Sequence, residues 1–177
     1  MADVSVTWLG HASFRVDSPE GKRIYVDPFL NGNPKCPESE LEPERVDVIA
    51  LTHGHGDHVG DTLALSKKFS PEIVALLELN GWLGKQGADV PDMGPNKGGT
   101  VEAAGVKFTL VNAFHSSASE DGEYLGESAG LVTEFENGTT LFAADVCNWT
   151  NLDGSTDLGG ANTTKSVGWT GSTPVKF

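Results

Sequence analysis

The chain has 177 residues, 38% of them hydrophobic, enough for one domain with a sizeable core. With 12 Lys and Arg against 25 Asp and Glu it carries a formal charge of −13, which repels nucleic-acid phosphates and anionic lipid headgroups and removes both from the expected partners. Cys36 and Cys147 are the only cysteines and have no CxxC spacing, so neither a disulfide framework nor a thiolate metal site is expected.

Val4 to Trp8 alternates and predicts a strand closed by Gly10. Ser13–Val16 and Arg23–Val26 flank the turn Ser18–Lys22, so residues 4–26 are expected as consecutive antiparallel strands. Pro28 and the stretch Asn31-Gly32-Asn33-Pro34-Lys35-Cys36-Pro37 predict a loop. Val46–Leu51 is apolar at nearly every position, the pattern of a strand buried on both faces. Asp61 is expected to cap a helix over 62–69, whose last turn holds Lys67 and Lys68 where the helix dipole favours cations.

A short strand over 73–75 and a helix over 76–83, ended by Gly84, follow. Val106–Val111 predicts a strand leading into His115, and Gly130–Phe135 and Thr139–Ala143 flank the hairpin signal Asn137-Gly138. Early strands, a helical centre and renewed strands predict stacked α and β layers. From Asn148 onward more than half the positions are Gly, Ser, Thr or Asn, without periodicity. The expected division is therefore a domain over 1–146 and a low-complexity, poorly ordered tail over 147–177.

His53-Gly54-His55-Gly56-Asp57-His58 sets three of the chain's five histidines and a carboxylate into six residues, directly after the buried run. Neutral imidazole is the commonest metal ligand, and a carboxylate beside it adds a harder oxygen donor. Residues two apart in an extended turn point to the same side, so His53 and His55 can converge on one ion while Asp57 and His58 face a neighbouring position. Gly54 and Gly56 are expected to relieve crowding and to permit unusual backbone angles. The competing reading is a histidine-rich surface loop. Asp27 either orients a ligand histidine or caps a turn. His11 is expected to line the cleft or pack beneath it, not to bind metal.

The string Thr52-His53-Gly54-His55-Gly56-Asp57-His58-Val59-Gly60-Asp61 resembles the signature of the metallo-β-lactamase superfamily. Trp8-Leu9-Gly10-His11-Ala12-Ser13-Phe14 and Val26-Asp27-Pro28-Phe29 resemble its branch of general metal-dependent hydrolases, which is similar to the ascorbate-6-phosphate lactonases. The resemblance covers roughly residues 4–145. It implies an α/β (α+β) fold, an αββα sandwich with metals at one edge of the paired sheets, here with its second half incomplete. It also implies a first metal on His53, His55 and a later histidine, which His115 in Asn112-Ala113-Phe114-His115-Ser116 matches, and a second on Asp57 and His58. A bridging aspartate is implied as well; Asp145 in Ala143-Ala144-Asp145-Val146 matches it, although both neighbours differ from the usual Gly-Asp-Thr. The family would supply one further histidine downstream. None follows His115, and the domain is expected to be truncated or altered after about residue 146.

The cofactor expectation is two divalent ions, zinc first because imidazole dominates, with manganese or iron as alternatives. Two such ions about 3.5–4 Å apart turn a shared water into hydroxide near neutral pH. The expected activity is hydrolysis of an ester, lactone or phosphoester bond in a small molecule, with Asp57 as the catalytic residue assisting proton transfer. The alternative is a catalytically inactive, truncated metal-binding remnant. With no leader peptide and no apolar run near the ~18 residues of a spanning helix, a cytoplasmic location is expected. Glu120–Tyr124 is expected as a solvated loop near the cleft mouth. Gly98-Gly99 is not a phosphate loop, because it lacks the flanking strand, helix and trailing Lys. Oligomeric state has no signature in the sequence.

Overall fold

The computed structural model of the protein describes residues 3–91, 93–147 and 163–169, with the backbone alone described at 142, 144–147 and 163–169. The expected antiparallel start is present. β1 (Ser5–Trp8), β2 (Phe14–Asp17) and β3 (Arg23–Val26) pair in succession, with Val6 opposite Val16 and Val16 opposite Ile24. β4 (Val48–Ala50) then joins parallel to β3, and β5 (Glu72–Val74) parallel to β4. A parallel pair needs a long crossover. Between β4 and β5 it is made by α1 (Gly56–Val59) and α2 (Thr62–Phe69), while α3 (Leu77–Lys85) follows β5.

The second sheet is antiparallel throughout: β6 (Thr100–Ala103), β7 (Val106–Asn112), β8 (Ala129–Glu134), β9 (Thr140–Cys147) and β10 (Thr163–Trp169), in the spatial order β10-β9-β8-β7-β6. β4 explains why its sequence is apolar without alternation. Val48 and Ala50 belong to the core between the sheets, with Phe108, Leu110 and Leu131. Ile49 and Leu51 belong to a second core beneath the helices, with Leu65, Leu79 and Leu83. Successive side chains point to opposite faces, so a strand lying between a helix layer and a second sheet is apolar at every position. The result is the expected mixed α/β fold with two facing sheets. Among the described residues, helices cover the outer face of the first sheet only, and none is long and apolar enough to cross a membrane.

Four local expectations change. α3 runs through Gly84 to Lys85, because burial of Leu79 and Leu83 outweighs a glycine's low helix propensity. Asp61 is the N-cap residue of α2 as expected, but its side chain makes no capping hydrogen bond; its carboxylate instead accepts the backbone N–H groups of Leu30 (2.8 Å) and Asn31 (2.9 Å) and the Asn31 side chain (2.6 Å), tying the 28–31 loop to the helix start. β6 has no strong sequence signal, since Thr100 and Glu102 are exposed and only Ala103 is buried. Of the expected low-complexity tail, Thr163–Trp169 forms a strand, while 148–162 and 170–177 lie outside the described residues. This strand, β10, pairs with β9, Trp169 opposite Leu141 and Thr163 opposite Cys147. An edge strand is held by backbone hydrogen bonds and does not need an apolar period to form.

Candidate metal centre

β1, β3 and β4 run in the same direction, and the residues that follow them, with the loop after β7, meet at one edge of the sandwich. Each loop delivers a polar side chain: His11 after β1, Asp27 after β3, His53 to His58 after β4, and His115 after β7. All five histidines of the chain gather here. The backbone holds these loops in register. Asp27 N–H donates to Ala50 O (3.0 Å), Ala129 N–H donates to Thr52 O (2.9 Å), and Gly54 N–H donates to Ser117 Oγ (3.1 Å), so the β4 loop is fastened to both sheets.

His53, His55 and His115 form the first group. His53 Nε2 is 2.9 Å from His55 Nδ1, and His115 Nε2 is 3.2 Å from the same Nδ1. The His115 ring centroid lies 4.6 Å from that of His53 and 5.0 Å from that of His55. The expected convergence of His53 and His55, and of a histidine sixty positions later, is therefore present. Ser128, which had no sequence signal, fixes the later loop: its Oγ accepts His115 N–H (3.0 Å) and lies 3.0 Å from Ala113 O.

Asp27 sets the protonation of the two buried rings. His58 Nδ1 lies 2.9 Å from Asp27 Oδ2, and a carboxylate only accepts, so Nδ1 carries the hydrogen and Nε2 presents its lone pair. Thr52 Oγ1 donates to the same Oδ2 (2.7 Å) and so accepts from His53 Nδ1 (2.9 Å), which leaves His53 Nε2 facing His55. Thr52 N–H takes Asp27 Oδ1 (2.8 Å). Three donors thus occupy Asp27, which lies at φ 48 and is 1% exposed. Of the two sequence readings for Asp27, the geometry matches contact with a histidine of the cluster, and Thr52 is the partner that sequence reasoning missed.

His11, Asp57 and His58 form a second group, their candidate ligand atoms within 4.8 Å of one another. His11 Nε2 is 2.7 Å from Asp57 Oδ2, and the His11 ring is 5.2 Å from that of His58. His11 therefore sits in the polar cluster itself, contrary to a role beneath it. Asp145 lies on β9, and its side chain is outside the described residues.

A divalent cation fits the first group. His55 Nδ1 bears at most one hydrogen and so cannot donate to both facing nitrogens, and His115 Nδ1 is buried without a hydrogen-bond partner among the described residues. Converging lone pairs of this kind repel one another unless a cation or protons sit among them. Three imidazoles suit zinc, and the Asp57 carboxylate nearby widens the choice to manganese and iron.

Of the two purposes expected of Gly54 and Gly56, relief of crowding is present and unusual backbone angles are not. Neither has a positive φ; what they provide is room. A Cβ on Gly54 would stand 2.6 Å from Leu125 Cδ1 and 2.8 Å from Leu125 Cβ, and one on Gly56 would stand 2.6 Å from Glu120 Oε1. The 117–125 segment packs directly on the histidine loop. Between them opens a cavity of about 440 Å³, lined by Gly54, Gly56, Trp82, Gln86, Glu120 and Asp121 among others.

The family model described as a beta-lactamase superfamily domain matches residues 22–164. A metal-dependent hydrolase of Koribacter versatilis (strain Ellin345) is 46% identical over 145 residues, covering 80% of this chain and 61% of the relative. A metal-dependent hydrolase of Herpetosiphon aurantiacus is 46% identical over 153 residues, covering 83% of this chain and 64% of the relative. The chain thus spans less than two thirds of the length of these curated relatives. Among solved structures, Igni18, a metallo hydrolase from the archaeon Ignicoccus hospitalis, superposes with a TM-score of 0.66 at 28% identity, over 81% of this chain and 61% of that one.

Proposed function

The chain belongs to the metallo-β-lactamase superfamily, and on that premise we propose that it is a metal-dependent hydrolase cleaving an ester, lactone or phosphoester bond of a small molecule. The observation that carries the proposal is the approach of His115 Nε2 to within 3.2 Å of His55 Nδ1, beside His53 Nε2 at 2.9 Å from that same atom. A surface loop rich in histidine has no reason to recruit a third imidazole from the opposite sheet.

His53, His55 and His115 would hold the first ion, with zinc the first choice. Bound there, a divalent ion lowers the pKa of water toward ~7 and polarises a carbonyl or phosphoryl oxygen. The chain's own residues do the rest. Asp27 and Thr52 keep the His53 and His58 rings in one tautomer and one orientation. Asp57, with its side chain 47% exposed, can pass a proton to the leaving group.

The cavity beside Gly54 and Gly56 offers room for a small substrate, and its rim carries Glu120, Asp121 and Glu123. These carboxylates disfavour a substrate anion, so an uncharged ester or lactone suits the rim better than a phosphoester. We place the protein in the cytoplasm on the same reading.

The test is a panel of lactones, carboxylic esters and phosphoesters offered to protein stripped with chelator and reloaded with zinc or manganese. Turnover that vanishes with chelator, returns with metal and fails in Asp57→Asn is expected. The alternative is a metal-binding domain without turnover. Folded, metal-loaded protein inert across the panel selects that reading.

A further inference from the structure

His11 lies directly against the Asp57 carboxylate. We propose that His11 is a ligand of a second divalent-cation site, completing it with Asp57 and His58; the inference rests on the metal-dependent reading of this cluster. His11 Nε2 is 2.7 Å from Asp57 Oδ2, and the candidate ligand atoms of the three side chains lie within 4.8 Å of one another. Two imidazoles and one carboxylate are a donor set that divalent zinc, manganese and iron all accept.

The three members come from two elements, the β1–β2 connection and α1, and each is held before any ion arrives. His58, on α1, has its Nδ1 engaged by Asp27 at 2.9 Å, which fixes the orientation of its ring. Asp57 precedes it on the same short helix, whose start is fixed by His58 N–H to His55 O at 3.0 Å and Val59 N–H to His55 O at 2.9 Å.

His11 occupies the tight β1–β2 connection. Its φ of 52 lies in the left-handed region that a residue with a Cβ rarely adopts. Trp8 Nε1 donates to His11 O at 3.0 Å, Ser13 N–H to Gly10 O at 3.0 Å, and the buried Asn33 side chain donates to Leu9 O at 3.2 Å. The Phe29 ring meets the imidazole edge-on, with centroids 6.0 Å apart. Three hydrogen bonds hold the backbone of this connection and the Phe29 ring meets the side chain, and strain of this sort collects at functional sites. Here the side chain meets the Asp57 carboxylate.

The site shares a wall with the first group, since the His58 and His53 ring centroids are 4.0 Å apart. The proposal thus gives the protein two adjoining cation positions, each with three candidate ligands from residues 11–115. Asp27 is not one of the ligands, because its two oxygens already take three donors.

The experiment is a zinc titration of the chelator-stripped full chain by calorimetry, with His11→Ala and His53→Ala alongside. Long-range proton–nitrogen NMR of the histidine rings is recorded through the same titration. Wild type is expected to take two ions. His11→Ala should keep the first, which also reports that it is folded, and bind the second more than about 100-fold more weakly, since even an outer-shell partner is worth about 10–100-fold. In wild type, His11 Nε2 should lose its hydrogen and shift to the coordinated-nitrogen range as the second ion binds. Two ions bound alike by wild type and His11→Ala, or a His11 Nε2 that keeps its hydrogen, would overturn the assignment and leave the proposed function standing. One ion in wild type, abolished by His53→Ala, also overturns this inference alone. No ion at all overturns both.

Discussion

Asp27 Oδ2 lies 2.9 Å from His58 Nδ1, and both side chains are 2% exposed. Burial makes the contact consequential, because a carboxylate removed from water must have its oxygens satisfied by the protein, and here Thr52 N–H, Thr52 Oγ1 and His58 Nδ1 do so. Asp27→Asn turns an acceptor toward those donors into an amide that cannot accept at both ends. It should weaken binding of the ion associated with His58 by about 10–100-fold and lower the stability of the metal-free protein by about 1–3 kcal/mol. Metal titration and urea denaturation read the two effects separately. Unchanged metal affinity would mean that Asp27 serves only the turn after β3.

The glycines of the histidine motif differ in what they tolerate. Gly54→Ala drives its methyl into Leu125 Cβ and Cδ1, at 2.8 and 2.6 Å, and the side chain's own root must move. Destabilisation of about 1–3 kcal/mol and weaker metal binding are expected. Gly56→Ala meets the end of the Glu120 side chain, which can swing aside, so its effect should stay within about 0.5 kcal/mol, the range of ordinary surface changes. Thermal denaturation of the pair checks the contrast; equal losses would place the tight contact elsewhere.

The comparison of sequence with structure turns on where the information is local. The HGHGDH segment carries its meaning within six residues, and the apolar run before it can serve only a strand covered on both sides, as Val48–Ala50 is. His115 was legible through the order of motifs, while Ser128, which fixes its loop, was not, because one serine before a strand has no distinctive neighbourhood. Asp61 shows the opposite failure. Its position before a helix matches a capping residue, but a contact thirty positions away with Asn31 takes the carboxylate. The contact of His11 with Asp57 was illegible for a related reason: it depends on a backbone at φ 52 and on a residue forty-six positions later, neither visible in the Trp8–Phe14 segment. β10 was missed because an edge strand can be rich in Thr, Ser and Gly and still pair through its backbone.

Tyr25 supplies a pH-dependent prediction remote from the metals. Its side chain is fully buried and its hydroxyl has no hydrogen-bond partner among the described residues. Burial, with a smaller contribution from the nearby Glu40 charge, pushes its ionisation up to about 12, against an ordinary value of 10.0. The unfolded chain therefore releases this proton first as pH rises, so the stability tied to the neutral phenol is whole below pH 10 and lost between about 10 and 12. Tyr25→Phe removes both the unmatched hydroxyl and the titration. It should match or exceed wild type by about 1 kcal/mol at pH 7, and the margin should widen above pH 10. Urea denaturation across that range checks it, and parallel stability profiles for the two proteins would contradict it.

The central claim is that side chains from the two sheets share one cation, and the most direct measurement of it is cobalt titration of the chelator-stripped protein and of His115→Ala, followed by visible absorption. Wild type should bind with the intense bands of a low-coordinate, nitrogen-rich cobalt site, and His115→Ala should lose both the bands and more than about 100-fold in affinity for the first ion, by the same comparison with outer-shell losses. Equal affinity and identical spectra in the two proteins would contradict the account, because His115 would then lie beside His55 without sharing its ion.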